Sequence, residues 1–203
     1  MVEQAEHWNT VWSDKDPTTV SWFQPTPTVS LRLIADYGPS PLCSIVDIGS
    51  GASRLVTELI AAGVPDIEVL DIAAPALSAA AEQAGYPTNV TWTIADVAAH
   101  RFDRTFDVWH DRAAFHFLNE IEQRAGYLDA LRSAVAIGGI AIIATFADDG
   151  PESCSGLPVS RYSAAELAAE FPGFELLHEE REDHVKPDGE PQKFQYVVLR
   201  RSV

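Results

Sequence analysis

The chain has 203 residues, 46% hydrophobic and 22% charged, enough apolar material for one self-supporting core and too much for a disordered segment. Thirty acidic residues against 14 Lys plus Arg leave a formal net charge of −16, which repels phosphate and argues against nucleic-acid and anionic-membrane partners, while neutral or cationic substrates stay open. The two cysteines, Cys43 and Cys154, suit a reducing compartment and cannot make a zinc site alone. The polar start MVEQAEHWN lacks a leader pattern and no apolar run approaches the roughly 20 residues of a membrane span, so the expected location is the cytoplasm.

Residues 1–40 read as an N-terminal cap or lid, distinct from a domain over 41–203. The cap is predicted as a short helix Glu3–Ser13, an irregular aromatic segment Asp14–Pro27 with Trp22 and Phe23 among prolines, and a helix Thr28–Tyr37 with Val29, Leu31, Leu33 and Ile34 on its apolar side. From residue 42 short β-rich apolar runs alternate with Ala/Leu-rich stretches. The predicted strands are Cys43–Ile48, Ile67–Leu70, Val90–Ala95, Phe106–His110, Gly139–Phe146, Glu175–Arg181 and Phe194–Arg200. The helices are Ser53–Ala62, Pro75–Ala84, Glu122–Val135 and Ala164–Phe171. Pro75 fits a first helical turn, and Gly63 and Gly85 fit helix C-termini. Such alternation implies a doubly wound α/β fold, a mostly parallel sheet with helices on both faces. Only the turn-like Lys186–Gly189 separates the last two runs, so they form a hairpin and the final strand runs antiparallel.

The strongest local signal is Ser44-Ile45-Val46-Asp47-Ile48-Gly49-Ser50-Gly51-Ala52-Ser53: a strand, a glycine loop, then a helix. Gly49 permits a tight turn and Gly51 a close backbone approach to a ligand. Arg54 stands where a dinucleotide fingerprint needs its third glycine, and the Gly-Lys-Ser/Thr of a phosphate loop is absent. Asp71, followed by Ile72, ends the second predicted strand, where a carboxylate can accept both hydrogen bonds of a ribose. Asp96-Val97 ends the third, where a carboxylate can meet an adenine amino group. Each aspartate alone reads as a helix cap or a solvated loop residue. Asp47, Gly49, Gly51, Asp71 and Asp96 in series mark one edge of the sheet, the edge on which open α/β sheets bind ligands.

This series resembles the class I S-adenosylmethionine-dependent methyltransferases over residues 43 to about 147, with the terminal hairpin fitting as well. Val46–Gly51 is similar to their first motif, Asp71 to their ribose acid, Asp96-Val97 to their adenine contact, Phe106–Trp109 to their fourth strand, and Gly138-Gly139 to the turn into their fifth. The resemblance implies a seven-stranded sheet with an antiparallel last strand, S-adenosylmethionine as cofactor and S-adenosylhomocysteine as product. The cofactor-binding candidates are then Trp22, Asp47, Gly49, Ser50, Gly51, Ser53, Asp71, Ile72, Asp96, Val97 and His110.

The acceptor is less determined. Phe115-His116-Phe117-Leu118 is similar to the apolar–His–His–Leu run of many small-molecule methyltransferases. Asp111-Arg112-Ala113 stands where several lysine methyltransferases of translation factors have Asp-Lys-Gly, and Val20–Gln24, around Trp22, is similar to an aromatic segment of that group. A small-molecule acceptor is the first expectation, a basic protein lysine the second, and a non-catalytic cofactor-binding protein the third. His116, His110 and Asp111 are the candidate catalytic residues. Against that, His116 reads as a packed histidine, His110 as a strand residue turned from the cleft, and Asp111 with Arg112 as an ion pair or helix cap. No metal site is expected. Cys154 reads as an unreactive loop thiol.

Overall fold

The structure, a computed structural model, describes residues 2–202. Its elements in chain order are α1 (Val2–Asp14), α2 (Thr28–Tyr37), β1 (Ser44–Ile48), α3 (Leu55–Ala61), β2 (Asp66–Asp71), α4 (Ala74–Ala84), β3 (Val90–Ile94) and β4 (Phe106–Arg112). A 3₁₀ turn (Phe115–Phe117) follows, then α5 (Ile121–Ala134), β5 (Val135–Phe146), the two-residue strands β6 (Ser153–Cys154) and β7 (Leu157–Pro158), α6 (Ala164–Ala169), β8 (Phe174–Val185) and β9 (Pro191–Arg201). Seven of these strands make one sheet in the order β3-β2-β1-β4-β5-β9-β8. Neighbours from β3 to β5 pair in parallel, and β9 runs antiparallel to both β5 and β8. The expected doubly wound sheet with an antiparallel last strand is therefore the observed one.

Alternation along the strands divides the core in two. Ile45 and Val108 face one side, where Leu33 and Ile34 of α2 and Leu55, Val56 and Leu59 of α3 cover them. Val46, Ile48 and Trp109 face the other side, under Tyr127, Ala130 and Leu131 of α5 and Leu167 of α6.

Some boundaries differ from expectation for local reasons. The Ser53 hydroxyl accepts the Leu55 N–H at 3.1 Å, so the loop persists to Arg54 and α3 starts at Leu55. β4 runs two residues past His110, because Asp111 and Arg112 pair with Ile143 and Ala144 of β5. α5 passes into β5 at Val135, ahead of the expected Gly139. The β6–β7 ribbon was not foreseen from its short polar sequence. No helix among the described residues is long and apolar enough to cross a membrane.

Candidate active site

Both glycines of the β1 loop are required by geometry. Gly49 has φ +60° and a Cβ there would lie 2.4 Å from the Ala114 Cβ; Gly51 has φ +58° and a Cβ would lie 2.5 Å from the Trp12 ring. Trp12 of α1 thus rests on the loop itself. Asp71, at the end of β2, ties that loop down: its Oδ2 accepts the Gly51 N–H at 2.7 Å and its Oδ1 the Ala73 N–H at 2.8 Å. Burial pushes its carboxyl up to about 6, against the pull of those backbone donors. Asp96, just past β3, accepts the Ala98 N–H at 2.9 Å.

Two adjoining cavities open over these strand ends. The larger holds about 110 Å3 of free space; Gly49, Gly51, Asp71, Ile72, Asp96 and Val97 wall it toward β3. Toward β5 and β9 its walls are the aromatic rings of Trp8, Trp22, Phe117, Phe146 and Phe194, with Arg112 and Cys154 between them. The smaller holds about 50 Å3, lined by Ser30, Asp47, Ser50, Ser53 and His110 among others. Trp12, Trp22, Ile48, Gly49 and Arg112 belong to both. Every residue expected to bind the cofactor lines one cavity or the other.

The three candidate catalytic residues are not brought together. Adjacent strand residues face opposite sides of a sheet, so His110 and Asp111 diverge. His110 stands beside Asp47 in the β1–β4 register. Its Nδ1 is 2.7 Å from Asp47 Oδ1 and its Nε2 2.8 Å from the Ser30 hydroxyl of α2. Asp111, wholly buried on the other face, accepts from the Ala114 N–H at 2.8 Å, the Phe115 N–H at 3.1 Å and the Tyr127 hydroxyl at 2.7 Å. It caps the turn, and its pairing with Arg112 is not formed. His116 is also wholly buried; its Nδ1 accepts the Phe146 N–H at 3.3 Å, and burial, helped by the Arg112 charge, pulls its pKa down to about 3. Neither Asp111 nor His116 lines either of these two cavities.

Arg112 follows the same alternation back to the His110 face. Its Nε donates to the Tyr196 hydroxyl at 3.0 Å, its Nη1 to the Trp22 carbonyl at 3.2 Å, and its guanidinium lies 4.2 Å from the Phe194 ring centre. The Glu182 carboxylate stands 3.7 Å from its Nη2. His184 donates to the Ser21 carbonyl at 2.9 Å and Gln24 to Glu182 at 2.7 Å. The aromatic segment is thus fastened to β4 and β8 by side chains on both sides of Trp22. The Cys154 thiol is pushed up to about 11 by burial, in keeping with an unreactive thiol.

Sequence reasoning missed Ser30, Trp12, Phe146 and Phe194 as wall residues. Ser30 had a signal: it shares the inward stripe of α2 with Leu33 and Ile34, a hydroxyl where an apolar residue belongs. Phe146 and Phe194 face each other only through the β5–β9 register.

The methyltransferase-domain family profile matches residues 45–139. No curated protein sequence shows significant similarity to the chain. Among solved structures, the N-methyltransferase NodS from Bradyrhizobium japonicum WM9, in complex with S-adenosylhomocysteine, superposes with a TM-score of 0.74 at 15% identity, over 96% of this chain and 98% of that one. The Burkholderia thailandensis 1,6-didemethyltoxoflavin-N1-methyltransferase, with its acceptor and S-adenosylhomocysteine bound, gives 0.70 at 18% identity, over 100% and 85%. An S-adenosylmethionine-dependent methyltransferase from Anabaena variabilis gives 0.74 at 17%, over 99% and 95%. Fold, strand-end loop and family profile agree: residues 45–139 match a methyltransferase domain, and the chain as a whole has the Rossmann-like fold of S-adenosylmethionine-dependent methyltransferases.

Proposed function

We propose that this enzyme methylates a small molecule with a flat or apolar body, and that the cofactor's nucleoside lies along Gly49–Gly51 with its ribose on Asp71 and its adenine beside Asp96 and Val97. One observation carries the acceptor reading: the end of the cavity toward β5 and β9 is walled by five aromatic rings and one guanidinium, with the lining acids, Asp71 and Asp96, at the opposite end. A lysine ammonium would meet a like charge there, with no carboxylate lining that end of the cavity. An uncharged aromatic or apolar acceptor loses little on leaving water and gains ring contacts. The didemethyltoxoflavin enzyme, named for a small-molecule acceptor, has the same fold.

When bound, S-adenosylmethionine supplies a methyl group already activated on a sulfonium. The chain's task is then orientation and exclusion of water. Trp8, Trp12 and Trp22 cover the cleft with edge-to-face ring contacts of 5.8–6.0 Å, Trp22 meeting both others. Asp111 and His116 hold the turn that carries Ala114 and Phe117 to the cavity wall, and the acceptor's own lone pair is the nucleophile. Buried free thiols at Cys43 and Cys154 fit the cytoplasm as the place of work. Residues 1–40 act as the cap and 41–203 as the catalytic domain.

The test is methyl transfer from labelled S-adenosylmethionine to cell metabolite extract and, separately, to the same cell's proteome. Label in the metabolite fraction supports the reading. Label confined to protein lysines overturns it in favour of a protein acceptor.

A further inference from the structure

The aromatic end of the larger cavity holds a fixed positive charge and no base. Among the titratable residues that line this cavity, Asp71 and Asp96 stand at the opposite end. The Cys154 thiol, pushed up to about 11 by burial, keeps its proton at neutral pH. Asp47 and His110 line the smaller cavity alone, and both His110 ring nitrogens are engaged, by Asp47 and Ser30. Arg112 is what remains, and a guanidinium takes up no proton. A nucleophile seated among the rings therefore meets no side chain that can accept its proton.

Arg112 is held rigidly for a charge on a cavity wall. Its Nε is spent on the Tyr196 hydroxyl and its Nη1 on the Trp22 carbonyl, its plane lies over the Phe194 ring, and its side chain is only 10% exposed. Nη2 has no hydrogen-bond partner. The groups around the guanidinium are Glu182 and His184 of β8, Tyr196 of β9, Cys154 of β6 and His116 of the 3₁₀ turn. Burial favours the uncharged form of the last four, so Glu182, 3.7 Å from Nη2, is the one anion set against it. Surrounding rings keep water out, and a charge there acts strongly on a neighbouring group.

We infer that the acceptor is a phenol, a weakly acidic hydroxyl on an aromatic ring, which enters uncharged and is methylated as the anion that Arg112 stabilises. This rests on the small-molecule reading above and adds the reacting group. An acceptor already carrying a carboxylate would bring a full charge out of water beside Glu182; a neutral phenol does not. Against the guanidinium its proton leaves to water. The oxygen's electron pair then takes the methyl as the carbon–sulfur bond breaks onto sulfur, and anion and sulfonium become a neutral ether and a neutral thioether. The ether has no charge for Arg112 to hold, which favours its release.

Titration of the full chain, loaded with S-adenosylhomocysteine, with 4-nitrophenol reads the ionisation directly, since its anion alone is yellow. Bound 4-nitrophenol is expected to ionise at least ~1 pH unit below the free compound, a ~10-fold larger anion-to-acid ratio. Arg112→Met should bring the midpoint back to that of the free compound or above it. Glu182→Gln, which keeps an oxygen for the Tyr196 hydroxyl, should raise the anion-to-acid ratio by a further ~3-fold or more; this is a gain that damaged packing does not produce, and it serves if Arg112→Met does not fold. A midpoint unmoved or raised on binding to the wild type overturns the ionised acceptor and leaves a flat small molecule standing. A wild-type shift that neither variant alters overturns the role of Arg112. Failure of both 4-nitrophenol and its neutral methyl ether, 4-nitroanisole, to bind overturns the aromatic acceptor chamber itself.

Discussion

His110 and Asp111 are neighbours on β4, yet each anchors a buried polar network on a different face of the sheet, and the two networks end differently. On the α5 face Asp111 has three donors, and Tyr127 passes the network on to the Trp109 N–H at 2.8 Å. On the α2 face the Ser30–His110–Asp47 chain stops at Asp47 Oδ2, which has no hydrogen-bond partner, and Ser50 Oγ and Arg112 Nη2, of residues lining the same cavity, have none either. A complete network is scaffold, since nothing is left to bind. An incomplete one, walled into a cavity, is a site whose ligand finishes it.

The largest effect should come from breaking the complete network. Asp111→Ala leaves two backbone N–H groups and the Tyr127 hydroxyl without an acceptor, a loss of about 4 kcal/mol in urea unfolding. Asp47→Ala removes one hydrogen bond and should cost about 1–2 kcal/mol of stability, but far more of the affinity for S-adenosylhomocysteine. If the two variants lose stability equally, the distinction between the faces fails.

The next effect is in pH. Burial raises the carboxyls of Asp71 and Asp111 from the ordinary aspartate value of 3.8 to about 6. Between about pH 4 and 6 the folded chain holds protons that the unfolded chain has released, so the contribution of each group to stability falls as pH rises through that window. The stability difference between wild type and Asp71→Asn should therefore shrink by about 2–3 kcal/mol from pH 4 to 6.5 and stay flat above. The sharper consequence is for binding: an ionised Asp71 accepts ribose hydroxyls on both oxygens and a protonated one does not. Affinity for S-adenosylhomocysteine should drop below pH about 6, and a curve flat down to pH 5 would remove Asp71 from ribose binding.

A smaller change refines the scaffold side. Tyr127→Phe deprives Asp111 of one donor and strands the Trp109 N–H, worth about 1–2 kcal/mol. Affinity for the cofactor should not move, since Tyr127 lines neither cavity. Altered affinity for S-adenosylhomocysteine in the folded variant would mean that the two faces communicate.

The sheet was readable because alternation and strand-end Gly and Asp residues are local features of the chain. The row Asp47, Gly49, Gly51, Asp71 and Asp96 was readable for the same reason, each lying at the end of its own strand. The facing of His110, Asp111 and Arg112 was not. It depends on β4 continuing through Arg112, which pairing with Ile143 and Ala144 decides. With the strand ended at His110, nothing local shows that His110 and Asp111 face opposite sides of the sheet. Arg112 was misread similarly: its partners Tyr196 and Glu182 lie 84 and 70 positions away along the chain, and no local pattern marks them. Ser30 was legible and overlooked, a hydroxyl on an otherwise apolar helix stripe.

The most direct test of the account is hydrogen exchange on the whole chain with and without S-adenosylhomocysteine. The strand-end loops are predicted to slow together: Gly49–Ser53 after β1, Ile72–Ala73 after β2 and Asp96–Ala98 after β3, with Tyr127–Ala134 of α5, which lines neither cavity, unchanged. Protection confined to other segments, or none at saturating ligand, would contradict the placement of the cofactor along the carboxyl ends of β1, β2 and β3.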